Sequence, residues 1–254
     1  MKISVIIPYK NEPETADLAG RCLKSVMSQD FDIHYLVDFD GKGVSVMRNQ
    51  GIESALKAGA DYITFLDADD EYLPDAYEQI CTAIREAPEE QIIQLNHFIE
   101  KEDGTRRARF YNMRGTYFLD NLPGLWVTVW NKVYKAELFE HIRFCEQMSY
   151  GEDELFNLHC LTKARRIYCS ERFAVIHHKD NPNSLSKTAT IADLMSEQEA
   201  LCTVIRTASG FNDQELCEAV RKRQEVLWSC NAYKRIFSEV NQDSITTSCK
   251  IETK

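Results

Sequence analysis

The chain is constrained most by the stretch Tyr62-Ile63-Thr64-Phe65-Leu66-Asp67-Ala68-Asp69-Asp70-Glu71. Its β-branched and aromatic half reads as a strand buried on both faces, and the strand stops on four carboxylates within five residues. Two such charges about 5 Å apart repel by roughly 3 kcal/mol at an effective dielectric near 20, so the cluster calls for a cation. Hard ions such as Mg²⁺ or Mn²⁺ suit carboxylate oxygens and need one or two of them, keeping other positions for water and phosphates. Without a ligand, the same acids read as a solvated turn capping a helix that begins near Pro74. Position favours the first reading, because open parallel sheets bind ligands beyond the carboxyl ends of their strands.

The rest of the chain is consistent with such a sheet. Ile3 to Ile7 is an apolar run closed by Pro8, as expected of a central parallel strand, and Tyr9-Lys10-Asn11-Glu12-Pro13 follows as a polar loop. Leu18, Cys22, Leu23, Val26 and Met27 are spaced as a helix, and Ile33 to Val37 is a second strand ending at Asp38 and Asp40. A second helix carries Val44, Met47, Ile52, Ala55 and Leu56 and closes at Gly59. After the acid-terminated strand come a helix marked by Tyr77, Ile80, Ile84 and Ala87, and a strand from Ile92 to Phe98. This alternation predicts an α/β fold with a doubly wound, Rossmann-like, mostly parallel sheet.

From residue 98 onward the pattern changes. A hairpin is expected around Asp103-Gly104, a strand over Trp126 to Trp130, and a short helix from Ala136 to His141. Glu152-Asp153-Glu154 opens a further helix, where the macrodipole alone favours carboxylates. A last strand, Phe173 to Ile176, runs into His177-His178-Lys179, and helices are expected from about Ile191.

With 254 residues, 44% apolar and 28% charged, the chain reads as globular. A net charge of -10 speaks against nucleic acid as a partner. The nine cysteines are scattered without a Cys-x-x-Cys pair, which predicts reduced thiols and a cytoplasmic protein. Neither a membrane span nor a signal peptide is read from the sequence.

Several segments together resemble a family 2 glycosyltransferase of the GT-A fold, of the bacterial polysaccharide type. Val5 to Glu12 resembles that family's opening strand and nucleotide-contacting loop. Gly43 to Ile52, running on to Tyr62–Asp70, is similar to its helix and metal motif in order and spacing. Val129 to Phe139 and Gly151 to Phe156 resemble its acceptor-side segments, and Asn181 to Ser186 its closing segment. The resemblance covers about residues 1–187: a nucleotide-sugar half over 1–98 and an acceptor-side half with a small β extension over 99–187. Residues 188–254 form a C-terminal helical extension with no recognised motif. One departure is that Asp38-Phe39-Asp40-Gly41-Lys42 runs directly into Gly43, where relatives insert a further short strand that helps hold the nucleobase.

The resemblance implies sugar transfer from a nucleotide diphosphate, with UDP-sugar as the default donor, to a saccharide or lipid-linked saccharide. It implies that Asp69 holds the metal while Asp67 touches ribose or shares the ion, and that the anomeric configuration inverts. Asp153 is chosen as general base, with Glu152 as its competitor. Pro8, Tyr9, Glu12, Asp38, Asp40, Arg48, Asp67, Lys179 and Ser184 are expected on the donor, and Trp130, Asn131 and Lys132 on the acceptor side. Strand alternation allows one of His177 and His178 to face the cleft; His178 is chosen, as a further metal ligand. The tail, with Arg221-Lys222-Arg223, Leu227-Trp228 and Lys234-Arg235-Ile236-Phe237, is expected to pack on the domain or a second subunit, or to rest on the inner face of a membrane. A sugar-phosphate nucleotidyltransferase and a non-catalytic carbohydrate- or nucleotide-binding relative are the rival readings.

Overall fold

The computed structural model of the chain describes residues 1–109, 114–119, 127–148, 150–179, 190–210, 213, 214, 216–218, 220 and 221. Nine described strands form one sheet: β1 (Ile3–Tyr9), β2 (Asp32–Val37), β3 (Tyr62–Phe65), β4 (Glu71–Tyr72), β5 (Ile92–Glu100), β6 (Arg106–Arg109), β7 (Gly115–Phe118), β8 (Lys132–Lys135) and β9 (Arg166–His178). The principal helices are α1 (Ala16–Met27), α2 (Val44–Lys57), α3 (Ala76–Glu86), α4 (Glu152–Ala164) and α5 (Ile191–Gly210).

The strand order is β2-β1-β3-β8-β5-β9-β4, with β6 paired to β5 and β7 to β9. β1, β2, β3, β5 and β9 run in one direction, so their carboxyl ends share one edge. The alternation of strand and helix does not run unbroken across the middle of the sheet. β8 lies between β3 and β5 and antiparallel to both, pairing Thr64 and Ile93 with the same residue, Val133. Of the strand expected over Trp126 to Trp130, Trp126 lies outside the described residues; Val129 to Asn131 make a turn, and the pairing residues are Lys132 to Lys135. The short helix after it is a 3-10 turn, Ala136–Glu140. The hairpin at Asp103-Gly104 is present between β5 and β6, and the last strand is longer than its apolar center suggested.

Alternation along β1 builds the two layers. Ile3, Val5 and Ile7 pack with Cys22 and Val26 of α1 and Ile80 and Ile84 of α3 on one face. Ile6 packs with Ile52 of α2, Phe156 of α4 and Leu194 of α5 on the other. Gly51 makes this second contact possible: a Cβ there would lie 2.4 Å from Ile6 Cγ2. Phe65 ends β3 in an aromatic nest, with Tyr134, Phe139, Phe144 and Phe156 at centroid distances of 5.3 to 6.3 Å. Leu194, Leu201, Val204, Leu216 and Val220 belong to the same cluster, so the described part of the C-terminal extension shares the core of the sheet. Among the described residues, no helix is long and apolar enough to cross a membrane.

Candidate active site

The acids that end β3 are drawn into a tight turn, in which the Asp70 N–H donates to Asp67 C=O at 3.0 Å. Ligand oxygens of Asp67, Asp69 and Asp70 all lie within 4.8 Å of one another. The three differ in their surroundings. Asp67 and Asp69 are half-buried, whereas Asp70 is fully buried and accepts hydrogen bonds from His177 Nδ1 at 3.1 Å and from the His178 N–H at 2.9 Å. Burial pushes the Asp70 carboxyl up to about 7, against the pull of His177. A half-buried, all-oxygen carboxylate pair fits a hard divalent cation, so Asp67 and Asp69 are the residues that would hold one.

His177, rather than His178, is the histidine beside the aspartates. It stacks flat on Trp130, which His97 also meets edge-on. Its charged form is favoured: burial opposes it, but the bond and charge of Asp70 outweigh burial. His178 alternates to the opposite side of β9, where Nε2 lies 2.9 Å from Glu71 Oε1 and Nδ1 3.4 Å from Glu100 Oε1. The choice of His178 as a ligand of the aspartate-bound ion is corrected accordingly. The ring contacts of His177 left no sequence signal beyond alternation, whose phase the sequence did not reveal.

The second acidic group comes from the start of α4. Gly151 precedes the helix in the left-handed region (φ +75°), and no side chain caps the helix there. Instead Glu152 and Asp153 turn toward Arg48 in α2, whose Nη1 donates to Asp153 Oδ1 at 2.6 Å and to Glu152 Oε1 at 3.1 Å. The other terminal nitrogen, Nη2, donates to Asp67 Oδ1 at 2.9 Å. Burial pushes Asp153 up to about 7, with Glu152 and Asp67 adding to the rise and Arg48 opposing it. Arg48 stays firmly protonated: burial works against its charge, and Asp153, Asp67 and Glu152 offset it.

The residues expected on the donor surround the carboxyl ends of β1 and β2. Pro8 lies past the last β3 pair, so its missing N–H breaks no rung on that side. Tyr9 stacks on Tyr35 at 5.9 Å and its hydroxyl donates to Glu12 C=O. The Glu12 carboxylate meets Lys10 at 2.6 Å. Asp38 and Asp40 part company: Asp38 is buried and accepts the N–H groups of Lys42 and Gly43, bonds that hold its carboxyl below the usual range. Asp40 is exposed beside Lys42. Residues 38–43 run from β2 straight into α2 without an intervening strand, as the sequence departure implied. Lys179 is exposed, and its N–H donates to Glu100 C=O. Ser184 and the basic segments beyond Arg221 lie outside the described residues.

Trp130 packs in the core, as its size favours, and Asn131 and Lys132 turn inward with it, which corrects the expected display of these two polar residues toward an acceptor. Asn131 is 0% and Lys132 1% exposed. Lys132 Nζ donates to Thr128 C=O and to Asn131 Oδ1, while Asn157 of α4 donates to Val127 C=O at 2.7 Å and accepts from the Tyr134 hydroxyl. These polar residues brace the loop before β8. Asn49, which the sequence did not single out, does similar work: Nδ2 donates to Phe144 C=O and Glu146 Oε1, and Oδ1 accepts the Phe144 N–H.

Comparisons with known proteins agree with this arrangement. Residues 29–146 match the model for glycosyl transferase family 2. Glycosyltransferase GlyA of Streptococcus pneumoniae serotype 4 is 25% identical over 210 residues, 74% of this chain and 29% of that protein. The chain thus spans less than a third of that relative. The structure of S. aureus TarS 1-349 in complex with UDP superposes with a TM-score of 0.71 at 15% identity, covering 91% of this chain and 73% of that one. The complex of TarS with UDP-GlcNAc gives a TM-score of 0.66 at 16% identity, covering 81% and 66%. The mixed, open sheet is that of these GT-A structures.

Proposed function

From the match of residues 29–146 to glycosyl transferase family 2 and the likeness to a glycosyltransferase, we propose that this chain moves a sugar from a nucleoside-diphosphate donor to a saccharide hydroxyl, free or lipid-linked, with inversion at the anomeric carbon. UDP is the donor nucleotide in this reading, by likeness to a fold neighbour whose structures hold UDP and UDP-GlcNAc.

The observation that carries the reading is the meeting of two acidic groups on one guanidinium. Asp67, from the carboxyl end of β3, and Asp153, from the first turn of α4, both bond Arg48. A divalent cation, were it held by Asp67 and Asp69, would neutralise the charge that builds on the departing diphosphate. Asp153 takes the proton of the acceptor hydroxyl, whose oxygen attacks the anomeric carbon as the bond to the diphosphate oxygen breaks. The electron pair of that bond leaves with the nucleotide. A carboxyl raised to about 7 suits a base working near neutral pH. Tyr9 and Asp38 stand beside one another at the ends of β1 and β2, joined by the bond from the Asp38 N–H to Tyr9 C=O, and border the nucleotide in this reading.

The test is thermal unfolding of the whole chain with UDP and Mn²⁺. A ligand at 100 times its Kd stabilises by about 2.7 kcal/mol, enough to raise the Tm by several degrees. Asp69→Asn is expected to remove the rise. A melting temperature indifferent to every nucleoside diphosphate, with and without manganese, would overturn the reading.

A further inference from the structure

Arg48 has 4% of its side chain exposed, and its terminal nitrogens are shared among Asp67, Glu152 and Asp153. Its Cζ lies 5.2 Å from the centroid of Phe144. Phe144 is itself fixed. Its ring stacks on Phe156 of α4 at 3.8 Å and 3°, and its backbone is held from both sides by the Asn49 side chain. The neighbours Arg48 and Asn49 thus tie α2 both to the first turn of α4 and to the segment that leads into it.

We propose that Arg48 is a positioning residue, a strut that fixes Asp67 on the donor side and Asp153 on the acceptor side relative to one another, and that it is not a ligand of the donor diphosphate. This rests on the reading of Asp153 as base. Both terminal nitrogens are already bonded to carboxylates in this arrangement. Swinging the guanidinium onto a phosphate would strand Glu152, 7% exposed, for which Arg48 is the cation at ion-pair distance among the described residues. The planar fork is also what the task requires, since a lysine ammonium is a point charge that cannot hold both ends.

The strut leaves the chemistry open. A carboxylate accepts through about four lone-pair sites, so Asp153 bonded at Oδ1 still has positions for a hydroxyl proton. When that proton arrives, Arg48 keeps its own, and Glu152 remains as its counter-charge. Four ionisable side chains face Asp153: Arg48 from α2, Glu152 from its own helix, Asp67 from the turn after β3 and Lys132 from β8; the Val129 backbone adds a hydrogen bond.

Two variants of the whole chain test this, Arg48→Lys and Glu152→Gln. UDP affinity in the presence of Mn²⁺ is read by calorimetry, and the ionisation of Asp153 by ¹³C NMR, with its signal assigned by loss in Asp153→Asn. Arg48→Lys is expected to raise the Asp153 midpoint by at least about half a pH unit, with UDP affinity kept within about fivefold. Glu152→Gln, which removes a like charge and leaves Nη1 to Asp153, is expected to lower the midpoint, and it decides the matter should Arg48→Lys not fold. A loss of UDP affinity beyond about fivefold in Arg48→Lys would make Arg48 a donor ligand and overturn the proposal, as would an Asp153 midpoint unmoved in both variants. Should the unaltered chain bind no UDP, the donor reading fails, while the Asp153 titration still decides what Arg48 does.

Discussion

His177 lies flat on Trp130, with ring centroids 5.0 Å apart and 11° between the planes. The stack holds the imidazole so that Nδ1 sits 3.1 Å from both oxygens of Asp70. Of the three neighbouring aspartates, Asp70 is therefore the fully buried one that ties the acidic turn to the end of β9.

That division of labour predicts opposite outcomes for adjacent substitutions. Asp70→Ala strands His177 Nδ1 and the buried His178 N–H, and is expected to cost about 2–4 kcal/mol in urea unfolding. Asp69→Asn, at a half-buried position, is expected to cost less than about 1 kcal/mol while abolishing manganese-dependent UDP binding. Equal losses of stability in the two variants would contradict the assignment.

Asp153→Asn is expected to lower turnover by about 10²- to 10⁴-fold with UDP affinity nearly unchanged, because the lost group acts on the acceptor. The carboxyl is raised by burial to about 7, so it is protonated and inert as a base below that value. In the unaltered chain kcat is then expected to rise with pH through an apparent pKa near 7. A profile flat from pH 5.5 to 8, or full turnover in the variant, would remove Asp153 from the reaction.

Much of this architecture is legible in the residues. The apolar run of β1, the acids closing β3 and the acidic start of α4 each announce an element and its end. What escapes is pairing at a distance. β8 is four residues long with a lysine at each end, so its place between β3 and β5 left no pattern to read. Polar residues at Asn131 and Lys132 suggested a surface, whereas Thr128, Asn157 and Tyr134 satisfy one another and Lys132 within the fold. Arg48 and Asp153 are 105 positions apart, and nothing local to either announces the other.

Gly51 offers a test of the packing beneath the site. A methyl group there would stand 2.4 Å from Ile6 Cγ2, and Ile6 is fully buried in β1, an interior strand of the sheet. The helix must move, and with it Arg48, one turn away on α2. Gly51→Ala is expected to destabilise by about 1–3 kcal/mol despite the better helix propensity of alanine. A variant as stable as the parent would show that α2 is free to shift on the sheet.

Lys132 ties stability to pH. Burial lowers its ammonium to about 7, although Asp153 favours the charged form. An unfolded lysine titrates near 10.4, so between these values the unfolded chain holds a proton that the folded chain has lost. Folding on account of this residue is thus least favoured below pH 7, where the charged form is buried, and strengthens as pH rises toward 10. Lys132→Met removes that dependence along with the hydrogen bonds to Thr128 and Asn131. In urea unfolding at pH 7 and pH 9, the stability of the parent relative to the variant is expected to grow by ~1–2 kcal/mol. A constant difference across that interval would mean that the buried amine keeps its proton in the fold, held there by Asp153.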